Sequence, residues 1–411
     1  MYTRAALVLF FGLLSLAPNV SPADAAQSSF ATVQHGKALV EAGDCAGCHT
    51  TNPDRPFAGG LAVETPFGTI YSSNLTPDRE TGIGTWSDED FWRAMHLGVG
   101  ATGERLYPAF PYPNFTKLTR DDVDAIWTYL KTLQPIRSKP AANDLTWPLD
   151  HRVLVRGWNL LFFRPGVFQR DPAKSDAWNR GAYLVEGAGH CGACHTAKNF
   201  FGADKASAFL QGGVLQNWFA PNITDAERTG LRSWSDDDIV EHLKTGRNRI
   251  SGATGIMAEV VANSTSRMSD SDLRAIAAYL KDFSGGDELK PAAPHQSAMD
   301  AGKRIYDDSC TACHQGSGNG VAHMFPRLKD NPNVQSRDAT SVIRVILDGA
   351  RTVATNPRPT PSSMPAYDWK LSDEEIAAVA TYVRNAWGNS APEVGAGEVR
   401  AMRKALRTVA H

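Results

Sequence analysis

One five-residue pattern occurs three times in the chain, as Cys45-Ala46-Gly47-Cys48-His49, Cys191-Gly192-Ala193-Cys194-His195 and Cys310-Thr311-Ala312-Cys313-His314. These motifs use all 6 Cys of the 411 residues, so no cysteine remains for a disulfide scaffold. Two thiols one helical turn apart can bond to the two vinyl groups of one porphyrin, and the His that follows can bind its iron. The pattern therefore predicts three covalently attached c-type haems.

Nine residues are thus predicted to hold haem and iron. The predicted haem-attachment residues are Cys45, Cys48, Cys191, Cys194, Cys310 and Cys313, and the predicted iron ligands are His49, His195 and His314.

A zinc site and a thioredoxin-like redox site also use Cys-x-x-Cys pairs, but both fit this chain less well. A structural zinc site gathers two pairs at short sequence distance, whereas the pairs here begin at residues 45, 191 and 310. A thioredoxin-like site has one pair and does not require His after it three times. The repeated motif without leftover Cys favours haem over both.

Residues 1–26 have the pattern of a secretory signal. Arg4 provides the positive charge, residues 5–17 form a short apolar run, and small residues offer a cleavage site near Ala25 or Ala26. This run is shorter than the ~20 residues that a membrane-spanning helix needs. We therefore expect export, which in a bacterium means the periplasm, without a retained anchor.

Composition excludes several other classes. Hydrophobic residues make up 42% and charged residues 21% of the chain, as in ordinary globular proteins. The formal net charge of -2 gives no basic field, so no nucleic-acid partner is expected. The sequence also has no P-loop, nucleophile elbow or dinucleotide fingerprint before a helix.

Each motif lies between two predicted helices. The first helices carry a glycine near their start, which is predicted to allow a close helix crossing. They span residues 35–44, 180–190 and 301–309, with Gly36, Gly181 and Gly302. The closing helices have one apolar stripe and a predicted Ser or Thr N-cap. They span residues 121–130, 271–280 and 373–383, after Thr119, Ser269 and Ser372.

The first two repeats share further sequence that the third lacks. Residues 73–78 match 221–226, and residues 85–91 match 233–239. A capped helix is predicted to begin within segment 85–91 and within segment 233–239. Repeat three lacks this insert and is shorter. No stretch shows the sustained alternation of apolar and polar residues that is typical of strands.

With these motifs, the sequence resembles the triheme cytochrome c subunits of bacterial dehydrogenase complexes. Those subunits serve alcohol, gluconate, fructose and aldehyde dehydrogenases, and molybdenum hydroxylases of the nicotinate and isoquinoline type. The stretches that carry the resemblance are 106–112, 189–196, 220–224, 243–248 and 386–389. They indicate the family and do not indicate one substrate.

The repeats and the resemblance together imply an all-α fold of three tandem class I cytochrome c domains. The expected boundaries are 1–26 for the signal peptide, 27–135 for domain one, 136–175 for a connector, 176–284 for domain two, 285–390 for domain three and 391–411 for a basic amphipathic tail.

The resemblance also implies a function. Electrons would pass from a partner dehydrogenase subunit of flavin, PQQ or molybdenum type, through three haems, to ubiquinone or a terminal oxidase. The chain would then be attached peripherally to the periplasmic side of the inner membrane. The alternative is a self-sufficient haem enzyme, a peroxidase or a quinone reductase, that uses an open haem one. A haem-based sensor ranks last.

The sixth iron ligands are predicted from loop methionines. Met257 and Met364 are expected in loops after the second and third motifs, and Met with His is the usual ligand pair of electron-transfer cytochromes. In repeat one the family pattern places Met where this chain has Phe110, which cannot bind iron. Met95 is a candidate iron ligand in its place, although its position in the predicted helix is more typical of a core residue. His96, next to it, is a candidate for contact with a haem propionate.

The last residues, 398–411, have an amphipathic pattern. Val399, Met402, Leu406 and Val409 fall on one helix face, and arginines and a lysine fall on the other. Three roles stay open for this helix: contact with anionic lipid, docking of a partner subunit, or a solvated tail.

Overall fold

The computed structural model describes residues 22–286 and 290–409, and side-chain environments between residues 29 and 407. Most of the predicted signal segment, residues 1–21, lies outside this part of the chain. The described part is mostly helical. No helix in it is both long enough and apolar enough to span a bilayer.

The α-helices are α1 (Pro22–Ala42), α2 (Cys45–His49), α3 (Asp88–Leu97), α4 (Tyr112–Phe115), α5 (Arg120–Leu130), α6 (Leu154–Phe162), α7 (Asp176–Tyr183), α8 (Gly192–His195), α9 (Asp236–Thr245), α10 (Ile256–Asn263), α11 (Asp270–Asp282), α12 (Gln296–Ser309), α13 (Thr311–His314), α14 (Pro332–Gln335), α15 (Thr340–Asp348), α16 (Asp373–Asn385) and α17 (Ala396–Val409). Helix α7 continues as a π-helical turn, and two short 3-10 turns flank α9 and α10. These turns are Leu184–Ala188, Ala206–Ala208 and Thr265–Arg267.

The same crossing of two helices occurs three times, between α1 and α5, α7 and α11, and α12 and α16. A glycine lies at each crossing, where a Cβ atom would meet a backbone oxygen of the partner helix. From the Cβ position to the backbone oxygen, the distance is 1.9 Å for Gly36 and Ala125, 1.9 Å for Gly181 and Ala275, and 2.1 Å for Gly302 and Ala378. Any side chain would force the helices apart, so the predicted close crossing is confirmed.

Capping residues set where the helices begin. The side-chain oxygens of Thr119, Ser269 and Ser372 accept hydrogen bonds from the third residue of α5, α11 and α16, as the sequence predicts. Helices α3 and α9 begin with capping boxes and end at a glycine in the left-handed region, Gly98 and Gly246. Their position and length also agree with the sequence pattern.

Short strands correct the expectation of a purely helical chain. They are β1 (Ala62–Thr65), β2 (Gly68–Tyr71), β3 (Asp144–Leu145), β4 (Gly213–Leu215), β5 (Trp218–Ala220), β6 (Ala350–Arg351) and β7 (Ser363–Met364). All pairs are antiparallel: β1 with β2, β2 with β3, β4 with β5, and β6 with β7. Strands of two to four residues are too short to show an alternating pattern.

Helix α15 is a second difference from the sequence analysis. It lies before Gly349 in the third repeat, where the sequence analysis placed no counterpart of α3 and α9. Its buried residues Ile343, Ile346 and Leu347 pack on α16 and α17. The third repeat therefore has a helix in this place without the Trp-Ser-Asp sequence that marks it in the other two.

The connector contains regular structure. Its strand β3 extends the first hairpin, and α6 packs on the first repeat through Val155 and Phe163, which are buried. The hydroxyl of Tyr112 donates to Oδ1 of Asn159 at 2.5 Å. The connector thus belongs to the body of the first repeat.

The C-terminal helix α17 forms as predicted, but its apolar face is turned inward. Val399 and Met402 are buried in the core of the third repeat, and Leu406 packs against that core. The guanidinium of Arg403 pairs with Asp373 at 2.8 Å. The side chain of Val409 lies outside the described residues. This packing leaves the face expected to meet lipid without access to a membrane.

The three repeats are in direct contact. One apolar core runs through the first two repeats, and a second core fills the third. Between the second and third repeats, Arg247 donates to Ser362 Oγ at 3.0 Å, and the guanidinium of Arg344 lies 4.3 Å from the ring centre of Trp218. The motifs are therefore held on one packed body.

Candidate haem centres

The three motif histidines share one orientation. In each ring, Nδ1 donates to a backbone carbonyl oxygen, which fixes the proton on Nδ1 and leaves the lone pair of Nε2 for a metal. The pairs are His49 with Ser73 at 2.6 Å, His195 with Pro221 at 2.6 Å and His314 with Pro326 at 3.1 Å. Burial also lowers the pKa of all three imidazoles, which favours the neutral form that binds iron.

In the first two repeats an Asn-x-Thr turn positions the accepting carbonyl. Oδ1 of Asn74 accepts hydrogen bonds from the backbone N and Oγ1 of Thr76, at 2.9 and 2.7 Å. Oδ1 of Asn222 makes the same two bonds with Thr224, at 2.9 and 2.7 Å. Both asparagines directly follow the residue whose carbonyl accepts from the histidine. The shared stretches noted in the sequence thus have a structural role that the sequence analysis did not assign.

The cysteine pairs lie at short helices. They lie on or next to α2, α8 and α13, and all six thiols are free. Burial raises the pKa of the Cys45 and Cys191 thiols to about 12 and that of Cys310 to about 11. These thiols are therefore neutral near pH 7, unlike the low-pKa cysteines of redox enzymes.

A single cavity of about 430 Å³ joins the second and third motifs. Both predicted proximal histidines and both predicted distal methionines, Met257 and Met364, line it. Met257 lies in the first turn of α10 and Met364 on β7, which corrects the expectation that both lie in irregular loops. Most of the remaining lining is apolar, including Trp218, Ile276 and Val379. Its apolar lining, with a His and a Met from each of two motifs, has the chemistry that a haem requires, so the residues present fit the implied cofactor.

His242 is a lining residue that the sequence analysis missed. It lies on α9 and is half-buried beside the cavity, and its ring contacts Trp234 at 5.3 Å between ring centres. Its buried Nδ1 has no hydrogen-bond partner among the described residues. Burial, followed by the nearby His195, lowers its pKa to about 4. The sequence signal was a His at a helix position where repeat one has Ala94.

The first repeat differs at the predicted distal side. Met95 is buried in the apolar core on α3. His96 stacks on Trp92 with ring centres 4.4 Å apart, and its Nδ1 lies 3.3 Å from Oγ1 of Thr116. Phe110 is half-buried and packs on the ring of Phe115 at 5.5 Å. In this repeat, Phe110 thus fills space with an aromatic ring where the family pattern has a sulfur ligand.

The loops before the first two motifs touch each other. Asp44 and His190 occupy equivalent positions, each directly before the first Cys and each with a positive φ, of 46° and 35°. Nε2 of His190 lies 3.2 Å from the backbone oxygen of Gly43. Burial, reinforced by nearby Glu259, raises the pKa of the Asp44 carboxyl to about 7. The first two motifs are therefore direct neighbours, as the shared cavity makes the second and third.

The chain is similar in sequence to known proteins. The Cytochrome c family model matches residues 33–134 and 299–387. The chain is 39% identical to the alcohol dehydrogenase (quinone) cytochrome c subunit of Gluconobacter oxydans, over 94% of this chain and 85% of the relative. It is 37% identical to the gluconate 2-dehydrogenase cytochrome c subunit of Pantoea cypripedii, over 99% and 97%. It is also 34% identical to the fructose dehydrogenase cytochrome subunit of Gluconobacter japonicus, over 93% and 84%.

Proposed function

Because the chain belongs to the family of cytochrome c subunits of bacterial dehydrogenase complexes, we propose that it takes electrons from a dehydrogenase catalytic subunit and carries them through three covalently bound haems. The observation that carries this proposal is the shared orientation of the three motif histidines, each with Nδ1 on a carbonyl and Nε2 free. A haem, when bound, supplies one-electron chemistry between Fe(II) and Fe(III).

Each repeat is proposed to be one class I cytochrome c domain, within the boundaries given above. Each Cys pair attaches one haem, and the following His binds its iron. Met257 and Met364 are proposed as the sixth ligands in the second and third domains, since both line the cavity with the motif histidines. In the first domain the candidate ligand Met95 packs in the apolar core, so we propose a core role for it, and the aromatic packing of Phe110 favours altered iron ligation there.

The packing supports electron passage along the chain of domains. The first two motif loops are in contact, and one cavity joins the second and third motifs. Fixed contacts of this kind keep redox centres at constant separation, so electrons need not wait for diffusion of a carrier.

The partner is proposed to be a dehydrogenase of flavin, PQQ or molybdenum type, and the acceptor ubiquinone or a terminal oxidase. The predicted signal at residues 1–26 supports export, and thus a position on the periplasmic side of the inner membrane. Peripheral attachment is the proposed mode of membrane association.

Haem counting and reduction test this function. The exported protein should carry three haems by the pyridine haemochrome assay, and Cys191→Ala/Cys194→Ala should lower the count by one. The purified dehydrogenase partner with its substrate should reduce the haems. A count below three in the unaltered protein, or no reduction by any co-purifying dehydrogenase, would contradict the proposal. Rapid peroxide turnover by the isolated chain would instead favour the self-sufficient enzyme.

A further inference from the structure

The connector and the loop at residues 200–201 together expose a group of large apolar side chains. We call it the α6 patch: Trp147, Val153, Leu154, Leu160, Leu161, Phe200 and Phe201. The exposed fractions are 76% for Trp147 and Leu160, 64% for Leu161 and 88% for Phe200. Large contiguous apolar surfaces on soluble proteins mark sites of interaction.

Helix α6 is apolar on both of its faces. Its inner face is fixed by Val155 and by the Tyr112–Asn159 hydrogen bond. On its outer face Leu160 and Leu161 point to solvent, and Arg156, one turn before Leu160, lies on the same face. The helix is therefore held rigidly in place by one face while the other remains available.

The loop with Phe200 and Phe201 extends this surface. The ring centre of Phe201 lies 5.7 Å from that of Phe162, and the indole N–H of Trp158 donates to the backbone oxygen of Phe201 at 3.0 Å. Phe200 contacts Phe201 at 5.5 Å between ring centres. The helix and the loop thus present one surface, although they are distant in sequence.

The charge on α6 and the residues that follow it is positive. Residues 151–170 contain four arginines and no Asp or Glu. Arg152, Arg156 and Arg164 are exposed on and beside α6. The guanidinium of Arg152 donates to the backbone oxygen of Arg105 at 2.6 Å, and that of Arg164 donates to the backbone oxygen of Leu160 at 3.0 Å. Within the described part of the chain, these two arginines therefore keep their charge without a bonded carboxylate.

We propose that the α6 patch binds the surface of an anionic phospholipid bilayer, with the helix parallel to the membrane plane. Leucines and aromatic rings on one side with arginines beside them are the composition of helices that lie in a lipid interface. The inference rests on the proposed peripheral location and assigns it to a surface. It also replaces the C-terminal helix as the membrane-facing element, because the apolar face of α17 is buried.

Vesicle co-sedimentation of the three-haem protein tests the proposal. The unaltered protein should bind vesicles of phosphatidylglycerol and phosphatidylethanolamine more strongly than phosphatidylcholine vesicles, and added salt should weaken the binding. Leu160→Ser/Leu161→Ser and Phe200→Ser/Phe201→Ser should each lower binding by about tenfold or more, since apolar area leaves the lipid. Arg156→Gln should lower it about fivefold, as expected for one interfacial charge.

The matched control is Phe30→Ser/Trp369→Ser, which removes two aromatic rings that are 66% and 79% exposed elsewhere on the molecule. It should bind vesicles as the unaltered protein does. Haem reduction in solution, measured without vesicles, should be unchanged in all variants, so a failure of membrane binding is distinguishable from a failure of the electron-transfer proposal.

Three results would overturn the inference. The unaltered protein would fail to bind anionic vesicles, or the patch variants would bind them equally well. Alternatively, the patch variants would keep vesicle binding but lose the dehydrogenase subunit, or would convert a dimer to a monomer. The patch would then be a contact between proteins.

Discussion

Nε2 of His190 lies 3.2 Å from the backbone oxygen of Gly43, and this contact joins the loops that precede the first two Cys-x-x-Cys-His motifs. The ring of His190 also meets Phe115 edge-on, with ring centres 5.5 Å apart. His190 thus fills the interface between two candidate haem centres with a side chain that both packs and donates. Its burial lowers its pKa, so the neutral ring is the form that fits.

Replacement of His190 should weaken this interface in a pH-dependent way. His190→Phe keeps most of the ring volume but leaves the Gly43 oxygen without its donor, which should cost about 1–2 kcal/mol of unfolding free energy at pH 8. In the unaltered protein the unfolded chain takes up a proton at His190 near pH 6.5, while the folded protein does so only at lower pH. The contribution of His190 to stability is therefore lost as pH falls from 7 to 5.

Urea unfolding of the holoprotein at pH 5, 7 and 8 measures both effects. The His190→Phe variant should show a smaller loss between pH 7 and 5 than the unaltered protein. An equal pH dependence in the two proteins would show that His190 titrates in the folded state as it does in the unfolded one.

Asp44 should have the opposite pH dependence. Burial raises its pKa in the folded protein to about 7, from an ordinary value of 3.8. Between these two values the folded state holds the proton that the unfolded state has released, so this carboxyl costs stability as pH rises from 4 to 7. Asp44→Asn should therefore raise the unfolding free energy by about 1–2 kcal/mol at pH 8 and leave it nearly unchanged at pH 4.

Urea unfolding of holoprotein at the two pH values checks this. The control is Asp124→Asn, which removes a carboxylate that is 43% exposed and paired on the surface with Arg120. That variant should change stability by less than about 1 kcal/mol at either pH. A loss of stability in Asp44→Asn at pH 8 would mean that the ionised carboxylate is favoured in the folded protein.

The positions of the helices and of the motif histidines can be predicted from local sequence. The packing of one helix on another cannot. A cap such as Ser372 acts within one helical turn, and a glycine such as Gly302 acts at one helix crossing. Both can therefore be predicted from the sequence without knowledge of the fold. The direction of the α17 apolar face depends on how the helix packs on α15 and α16, which the sequence of α17 itself does not determine. The amphipathic pattern of α17 therefore predicts equally well that its apolar face meets a membrane, a partner subunit or the core of the protein.

Two features of the molecule depend on contacts that only the fold creates. His242 lines a cavity only because α9 borders the cavity that joins the second and third motifs. The local sequence does not predict that cavity. The leucines of α6 stand in the sequence only as part of a short apolar run. The fold alone shows that Leu160 and Leu161 point outward while Val155 points inward.

Gly302 should be intolerant of any side chain. A Cβ there would lie 2.1 Å from the backbone oxygen of Ala378, so Gly302→Ala must separate α12 from α16. We expect a loss of about 3 kcal/mol or more in unfolding free energy, as for overpacked cores. The matched control is Gly397→Ala on α17, where nothing lies within 4 Å and the helix should gain up to about 1 kcal/mol. Equal effects in chemical unfolding would contradict the close crossing.

Met95 should behave as a core residue. It is 5% exposed and packs in the first apolar core on α3. Met95→Leu conserves volume and should cost less than about 1.5 kcal/mol, whereas Met95→Ala should cost about 2–5 kcal/mol. Neither should change the visible spectrum of the reduced or oxidised haems. A Met95→Leu variant that loses one low-spin haem would establish Met95 as the sixth ligand of haem one.

Replacement of Met257 or of Met364 should change the redox potential of one haem. Both line the cavity with His195 and His314, and a Met ligand stabilises Fe(II) and raises the potential. Met257→Ala and Met364→Ala should each lower one of the three midpoint potentials and reduce the sulfur-to-iron charge-transfer band by the share of one haem. Met324→Ala is the control, because Met324 lines the same cavity but is 52% exposed. A redox titration in which Met324→Ala shifts a potential and Met257→Ala does not would reassign the ligand, and His242→Ala would then be the next variant to titrate.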